Sequence, residues 1–167
     1  MKKEILLRET EKCYTLFDEL QAAVDCHKNI IILGNGGSSA IASHISQDYT
    51  KKLKKRSFTF SDASRLTCYT NDYGYDKAYL QFLKEFVTDE PTLIILISSS
   101  GNSENILNCA KWAASQDNVR TITLTGFKED NKLKNMHLSN RLVNFWVDSD
   151  NYGIVECVHM SFLHMVA

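Results

Sequence analysis

Hydrophobic residues along the chain form short consecutive runs, separated by longer stretches in which they recur every three or four positions. The consecutive runs predict strands buried on both faces of a sheet: "NIIILG" (29–34), "TLIILIS" (92–98), "VRTITLTG" (119–126) and "RLVNFWV" (141–147). Weaker runs at "RSFTF" (56–60) and "RLTCYTND" (65–72) predict two further strands.

The stretches between the runs predict helices, because apolar residues three and four positions apart share one helix face. These helices cover 38–52, 77–87, 103–116, a short segment within 129–136, and 152–167. The first 27 residues show the same spacing, and the helix predicted there, over about 3–27, is expected to serve oligomerisation. Alternating strands and helices predict one doubly wound α/β domain with a parallel sheet covered on both faces.

Composition excludes several classes of partner. The 167 residues carry a net charge of −1, which favours neither nucleic acid nor an anionic membrane. No apolar stretch reaches the roughly 18 residues of a membrane-spanning helix, and the N-terminus lacks the apolar segment of a signal peptide. The five cysteines never form C-x-x-C, as expected of reduced thiols. We therefore expect a cytoplasmic protein with no membrane or nucleic-acid partner.

Two predicted strands end in unusual turns, "GNGGSS" (34–39) and "SSSGNS" (98–103), and each turn opens a predicted helix. The carboxyl ends of parallel strands share one edge of a sheet, so the two turns are expected to face the same way. Free backbone N–H groups at a helix start attract anions, glycines allow close approach, and serine hydroxyls add donors. The pattern favours a phosphate site over an ordinary capping turn. Neither turn has the spacing of a Walker loop or a nucleophile elbow.

Histidines and carboxylates recur at helical spacing in two segments. His44 and Asp48 are four positions apart, while Glu156 and His164 lie eight apart in the last helix, with His159 between them. Such a set suits a divalent metal such as zinc, or proton transfer next to a carbonyl. From the spacing alone, a surface ion pair of His44 with Asp48 and packing roles for the other histidines are favoured over a metal site. In "TNDYGYD" (70–76), Asn71 and Asp72 are candidates to bind a polyol.

Four motifs together resemble the sugar isomerase (SIS) domain, and specifically its phosphoheptose isomerase branch. In order, they are "GNGGSSAIASHISQD", "NDYGYD", "ISSSGNS" and "GIVECVHMSFLH", and the similarity runs from about residue 30 to the end. The resemblance implies a single doubly wound domain with a parallel five-stranded sheet. It also implies an aldose–ketose isomerase that converts sedoheptulose 7-phosphate to D-glycero-D-manno-heptose 7-phosphate through an enediol. Members of this branch feed lipopolysaccharide or capsule synthesis, form homotetramers with active sites between subunits, and in several cases bind zinc.

Position by position, the resemblance assigns roles to individual residues. Substrate-binding residues are Asn35, Gly36, Gly37, Ser38, Asn71, Asp72, Ser98, Ser99, Ser100 and Ser103. Metal ligands are His44, Asp48, Glu156 and His164, with zinc the expected metal, and catalytic residues are Asp48, Glu156 and His164.

The chain departs from the family pattern at three positions in the predicted helices. Asp48 stands where members usually have a glutamate, Glu156 where they have a glutamine, and Cys157 where they have an acid. The alternative function is a non-catalytic SIS domain that binds a sugar phosphate or a replication-initiator partner. The filled set of histidines and carboxylates favours the enzyme.

Overall fold

The computed structural model describes residues 2–167, which form eight helices and five strands. In chain order the elements are α1 (Lys2–Thr15), α2 (Phe17–Cys26), β1 (Asn29–Gly34), α3 (Gly37–Lys51), β2 (Arg56–Thr59), α4 (Ala63–Tyr73), α5 (Tyr75–Phe86), β3 (Thr92–Ser98), α6 (Glu104–Ala113), β4 (Val119–Thr125), α7 (Lys132–Asn135), β5 (Arg141–Trp146) and α8 (Tyr152–His164). No helix among the described residues is both long and apolar enough to cross a bilayer.

All five strands are parallel, in the order β2-β1-β3-β4-β5, which confirms the predicted doubly wound domain. The order reverses between β1 and β3, and in open parallel sheets ligands bind outside the carboxyl ends of the strands at such a switch point. Gly34 at the end of β1 pairs with Ile97 near the end of β3. The two turns singled out in the sequence therefore leave adjacent strands at this point.

Alternate residues of the central strands face two separate hydrophobic cores. Ile30 and Ile32 of β1 pack under α3 and α8, whereas Ile31 and Leu33 pack under α5 and α6. Every residue of β3 is buried, as its uninterrupted apolar run predicted. Burial on both faces fixes the register of the sheet, so the strand ends that carry the turns are held rigidly.

The prediction of a strand at 65–72 was wrong, because these residues lie within helix α4. Asp62 caps the helix by accepting a hydrogen bond from the backbone N–H of Arg65 at 2.9 Å. Leu66 and Tyr69 then pack against the core that contains Phe60. The β-branched and aromatic composition suggested a strand, but the cap and the helical spacing of these side chains determine the structure.

The N-terminal segment forms two helices instead of the single helix predicted, with the break at Leu16. Glu9 of α1 is fully buried and fixes this helix to the loop that precedes α8. Its carboxylate accepts hydrogen bonds from Lys12 Nζ at 2.6 Å, Arg8 Nε at 2.7 Å and the backbone N–H of Asp148 at 2.9 Å. Burial alone would raise the pKa of Glu9, but these bonds outweigh it and lower the pKa.

Candidate functional site

The two turns enclose a cavity of about 250 Å³ at the switch point between β1 and β3. Its lining residues are Asn35, Gly36, Gly37, Ser38, Ile97, Ser98, Ser99, Ser100, Ser103, Tyr152 and Glu156. The structure thus brings together every substrate-binding residue predicted from the two turns. Tyr152 and Ile97 were not singled out in the sequence, since Ile97 is the apolar first residue of "ISSSGNS" and Tyr152 precedes "GIVECVHMSFLH".

Glycines in the first turn make room for neighbouring side chains. Gly36 adopts a φ of 53°, a conformation that favours glycine, and α3 starts at the next residue. A Cβ atom on Gly37 would lie 2.3 Å from Oε1 of Glu156. The absence of a side chain at Gly37 therefore allows the Glu156 carboxylate to sit against the start of α3, at the edge of the cavity.

The serine turn presents hydroxyl groups that the protein itself satisfies only in part. Ser98 Oγ donates to Ser103 Oγ at 3.3 Å, while Ser99 is 5% exposed and its Oγ has no hydrogen-bond partner among the described residues. A buried hydroxyl without a partner costs free energy, on the order of 1–3 kcal/mol. Ser99 lines the cavity, but its Oγ is itself buried, so the hydroxyl must rotate before a ligand oxygen there can supply the missing partner.

His44, Asp48 and His164 form a second cluster on the neighbouring faces of α3 and α8. One potential ligand atom from each of the three residues lies within 4.8 Å of the other two. Asp48 Oδ2 is 3.8 Å from His44 Nε2 and 3.6 Å from His164 Nδ1. Two imidazoles and a carboxylate match the donor types of a metal site with three protein ligands and one open position. The residues present therefore fit a divalent metal.

Charges around this cluster determine which forms of its side chains prevail. A hydrogen bond from Lys52 Nζ to Asp48 Oδ2, at 3.1 Å, is the main reason that the pKa of Asp48 is lowered, and His44 and His164 add to the effect. Burial lowers the pKa of His164, and the neighbouring His44 lowers it further. At neutral pH the cluster thus offers an ionised carboxylate and a neutral imidazole, the forms that bind metals.

Glu156 stands apart from this cluster in the described conformation. It lies eight residues before His164, which corresponds to about 12 Å along α8. A groove of about 430 Å³ starts at Gly37 and Glu156 and runs between α3 and α8 past Ile41 and Met160. His44 and His164 follow those two residues by three and four positions, about one helical turn. The cavity, Glu156, the groove and the His–Asp–His cluster therefore lie in sequence along one surface.

Three other predicted candidates lie elsewhere. Asn71 and Asp72 are exposed in the last turn of α4, where Asn71 Nδ2 donates to Asp72 Oδ1 at 3.0 Å, and neither lines the cavity. His159 is completely buried, with Nε2 at 3.0 Å from the carbonyl oxygen of Thr125. Burial lowers its pKa to about 4, so His159 is a neutral packing residue.

Comparison with known proteins gives the same assignment as the fold and the cavity. A family model described as the SIS domain matches residues 2–126. The chain belongs to the SIS domain family. Among curated relatives, the phosphoheptose isomerase of Fusobacterium nucleatum is 31% identical over 95% of this chain and 79% of its own length. That of Cytophaga hutchinsonii is 36% identical over 81% and 70%.

A solved structure extends the similarity of this SIS domain to three dimensions. The phosphoheptose isomerase of Neisseria gonorrhoeae superposes with a TM-score of 0.82 at 25% identity, covering 96% of this chain and 90% of that one.

Proposed function

We propose that this SIS domain is an aldose–ketose isomerase that converts sedoheptulose 7-phosphate to D-glycero-D-manno-heptose 7-phosphate. The observation that carries the proposal is the cavity at the switch point, whose lining combines two helix starts, five serines and one carboxylate. The relatives named phosphoheptose isomerase support the same assignment.

The phosphate group binds at the serine turn. Hydroxyls of Ser98, Ser99, Ser100 and Ser103 and the N–H groups at the starts of α3 and α6 surround the cavity. Among the described residues, no Lys or Arg lines it, so the phosphate is held by uncharged donors. The buried Ser99 hydroxyl, which has no partner among the described residues, adds support for a bound oxyanion once it rotates towards the cavity.

The sugar carbons extend from the phosphate past Glu156 towards Asp48 and His164. An extended phosphorylated seven-carbon chain spans roughly 9 Å at about 1.2 Å per bond, which covers most of the roughly 12 Å from Glu156 to His164 along α8. A long sugar phosphate therefore fits this surface better than a triose phosphate, whose carbon chain would end near the cavity.

Isomerisation moves one proton between neighbouring carbons. A base removes a proton from C1 of the ketose, the electrons of that C–H bond form the C1–C2 double bond, and the carbonyl oxygen takes a proton to give the enediol. Return of a proton to C2, with loss of the proton on O1, gives the aldose. Glu156, Asp48 and His164 are the candidate catalytic residues. Asp48 and His164 lie at the carbonyl end of the path described above. Glu156 lines the cavity at the phosphate end and remains a candidate on the strength of the family resemblance.

A divalent metal, with zinc as the proposed ion, would be held by His44, Asp48 and His164, where it would polarise the sugar carbonyl. Glu156 remains a proposed fourth ligand on the strength of the family resemblance.

We also propose a cytoplasmic homotetramer that serves lipopolysaccharide or capsule synthesis, with active sites between subunits. Leu7 and Tyr14 of α1 are large apolar residues with exposures of 56% and 71%, which supports a role of the N-terminal helices in assembly. Sedimentation at several protein concentrations measures the oligomeric state.

The deciding experiment follows solvent deuterium. The protein is incubated in heavy water with sedoheptulose 7-phosphate, fructose 6-phosphate or ribulose 5-phosphate, with and without chelator, and NMR detects deuterium on the carbon next to the carbonyl. With the seven-carbon substrate we expect the parent protein to exchange deuterium and to form the aldose. Ser99→Ala should lose exchange and aldose formation, whereas Ser115→Ala, on the surface of the protein, should retain them. Unchanged turnover in Asp48→Asn removes Asp48 from the scheme. A protein that binds the sugar phosphate without any exchange is a non-catalytic SIS domain.

A further inference from the structure

Asn35, at the end of β1, belongs to a hydrogen-bonded chain of three side chains from different elements. Its Nδ2 donates to Asn105 Oδ1 at 3.0 Å, and Asn105 Nδ2 donates back to Asn35 Oδ1 at 2.9 Å. Tyr75, the first residue of α5, donates its hydroxyl proton to the same Asn35 Oδ1 at 2.7 Å. Neither Asn105 nor Tyr75 lines the cavity, whereas Asn35 does.

The orientation of both amide groups follows from one backbone contact. The N–H of Ile106 is shared between Asn105 Oδ1 and the carbonyl oxygen of Ser103, each at 3.0 Å. A backbone N–H can only donate, so the atom facing it must be the oxygen of Asn105. The Asn35 atom that contacts this oxygen must then be the nitrogen, and Asn35 Oδ1 must face the nitrogen of Asn105.

The remaining hydrogen-bonding capacity of Asn35 can now be counted. A carboxamide oxygen has two lone pairs, and both are filled, one by Asn105 and one by Tyr75. The Asn35 nitrogen has two protons, of which one is bound to Asn105. One N–H is left, and Asn35 can therefore offer the cavity a donor but no acceptor.

We infer that Asn35 binds the phosphate end of the substrate as an obligate hydrogen-bond donor, and that Tyr75 and Asn105 are positioning residues that hold it in this state. The inference rests on the proposed function and specifies how its cavity is polarised. Asn35 and the serine hydroxyls supply donors, while Glu156 supplies the acceptor. Such a lining favours a ligand with an oxyanion at one end and hydroxyl groups along its length.

Tyr75 is the member of the chain that can be tested most cleanly. Tyr75→Phe removes one hydroxyl, which frees a lone pair of Asn35 and allows its amide to turn. We expect KM for the sugar phosphate, and Kd for inorganic phosphate, to rise about two- to tenfold, the value of one neutral hydrogen bond. The turnover number stays unchanged, because the bond to the phosphate is the same in the ground state and the transition state. Tyr73→Phe is the control, since its exposed hydroxyl has no hydrogen bond to Asn35.

NMR of the Asn35 side-chain amide, assigned by its disappearance in Asn35→Asp, provides a readout that a purely structural role would not move. Titration with inorganic phosphate is expected to shift one of the two Nδ2 proton resonances strongly, the one not bound to Asn105. The inference is overturned if neither resonance moves, or if Tyr75→Phe and Tyr73→Phe bind phosphate equally well. If phosphate shifts the amide but no sugar phosphate exchanges deuterium, the inference stands and the proposed isomerase function fails.

Discussion

Substitution of Gly37 by alanine tests the placement of Glu156 more directly than substitution of Glu156 itself. The new Cβ would lie 2.3 Å from Oε1, 2.5 Å from Oε2 and 2.5 Å from Cδ of Glu156. Ordinary contacts between such atoms are about 3.5 Å, so the carboxylate must move by roughly 1 Å. It lies at the end of a flexible side chain and can move without disturbing the backbone.

The expected effects on activity and on stability have opposite signs. A displacement of about 1 Å in a catalytic group can lower turnover by about a hundredfold. Alanine is the better helix former, by up to about 1 kcal/mol in a helix interior, so the free energy of unfolding should stay the same or rise slightly. A mutant that is as stable as the parent and yet nearly inactive is the predicted outcome.

Steady-state kinetics with sedoheptulose 7-phosphate and urea unfolding measure the two effects on the same preparations. Gly153→Ala is the matched control, because it also lies at a helix start, in α8 itself, and its Cβ would meet only Asn151 Oδ1 at 3.3 Å. Gly34→Ala supplies the contrast. Its Cβ would lie 2.8 Å from the backbone of Ser38, and this backbone cannot move without the rest of α3. The substitution should therefore lower the free energy of unfolding by about 1–3 kcal/mol.

Full activity in Gly37→Ala would refute the argument that the position of Glu156 matters. A second check uses a double mutant. If Gly37→Ala acts only through Glu156, it should cause no additional loss of activity when combined with Glu156→Gln. Additive losses would mean that the methyl group perturbs the cavity by another route.

Two further predictions concern the buried histidine and the lysine beside the cluster. Burial lowers the pKa of His159 to about 4. Between pH 6.5 and 4 the unfolded chain therefore binds a proton at this histidine that the folded chain does not. The free energy of unfolding should fall by about 3 kcal/mol as the pH falls through this range. Urea unfolding at several pH values should show this loss in the parent and in the control His137→Gln, whose histidine is exposed, but not in His159→Gln. An identical pH dependence in all three proteins would contradict a lowered pKa for His159. Lys52 Nζ lies 3.1 Å from Asp48 Oδ2 and forms an ion pair with it. Lys52→Met should therefore tighten zinc binding about two- to fivefold, which is the value of an exposed ion pair. The zinc affinity is measured by competition with a chelating dye. Lys51→Met is the control, and a zinc affinity that is the same in both variants would show that Lys52 does not compete with the metal.

The sequence predicted those parts of the fold and of the site that depend on residues close together along the chain. Continuous apolar runs identified four strands of the sheet and a weaker run identified β2. Hydroxyl and glycine residues after β1 and β3 identified both walls of the cavity. The adjacency of these walls followed from a general property of parallel sheets. His44 and Asp48 were paired by their helical spacing alone, and they do lie together.

Other parts depend on contacts that no local pattern encodes. The segment at 65–72 was predicted as a strand because threonine and tyrosine favour strands, although Asp62 three residues before Arg65 was a capping signal that could have corrected it. Tyr75 and Asn105 reach Asn35 across 40 and 70 residues of chain, so their roles appear only once the elements are packed. The contact of Glu156 with Gly37 likewise requires the side-by-side packing of α3 and α8.

The buried carboxylate of Glu9 ties the amino-terminal helix to the segment that carries Tyr152 and Glu156 into the cavity. Helix α1 thereby supports the wall of the substrate pocket from behind, although none of its residues lines that pocket. Leu7 and Tyr14, the exposed residues of the proposed assembly surface, belong to this same helix. The hydrogen bonds of Glu9 therefore join the helix that carries this surface to the segment that lines the pocket.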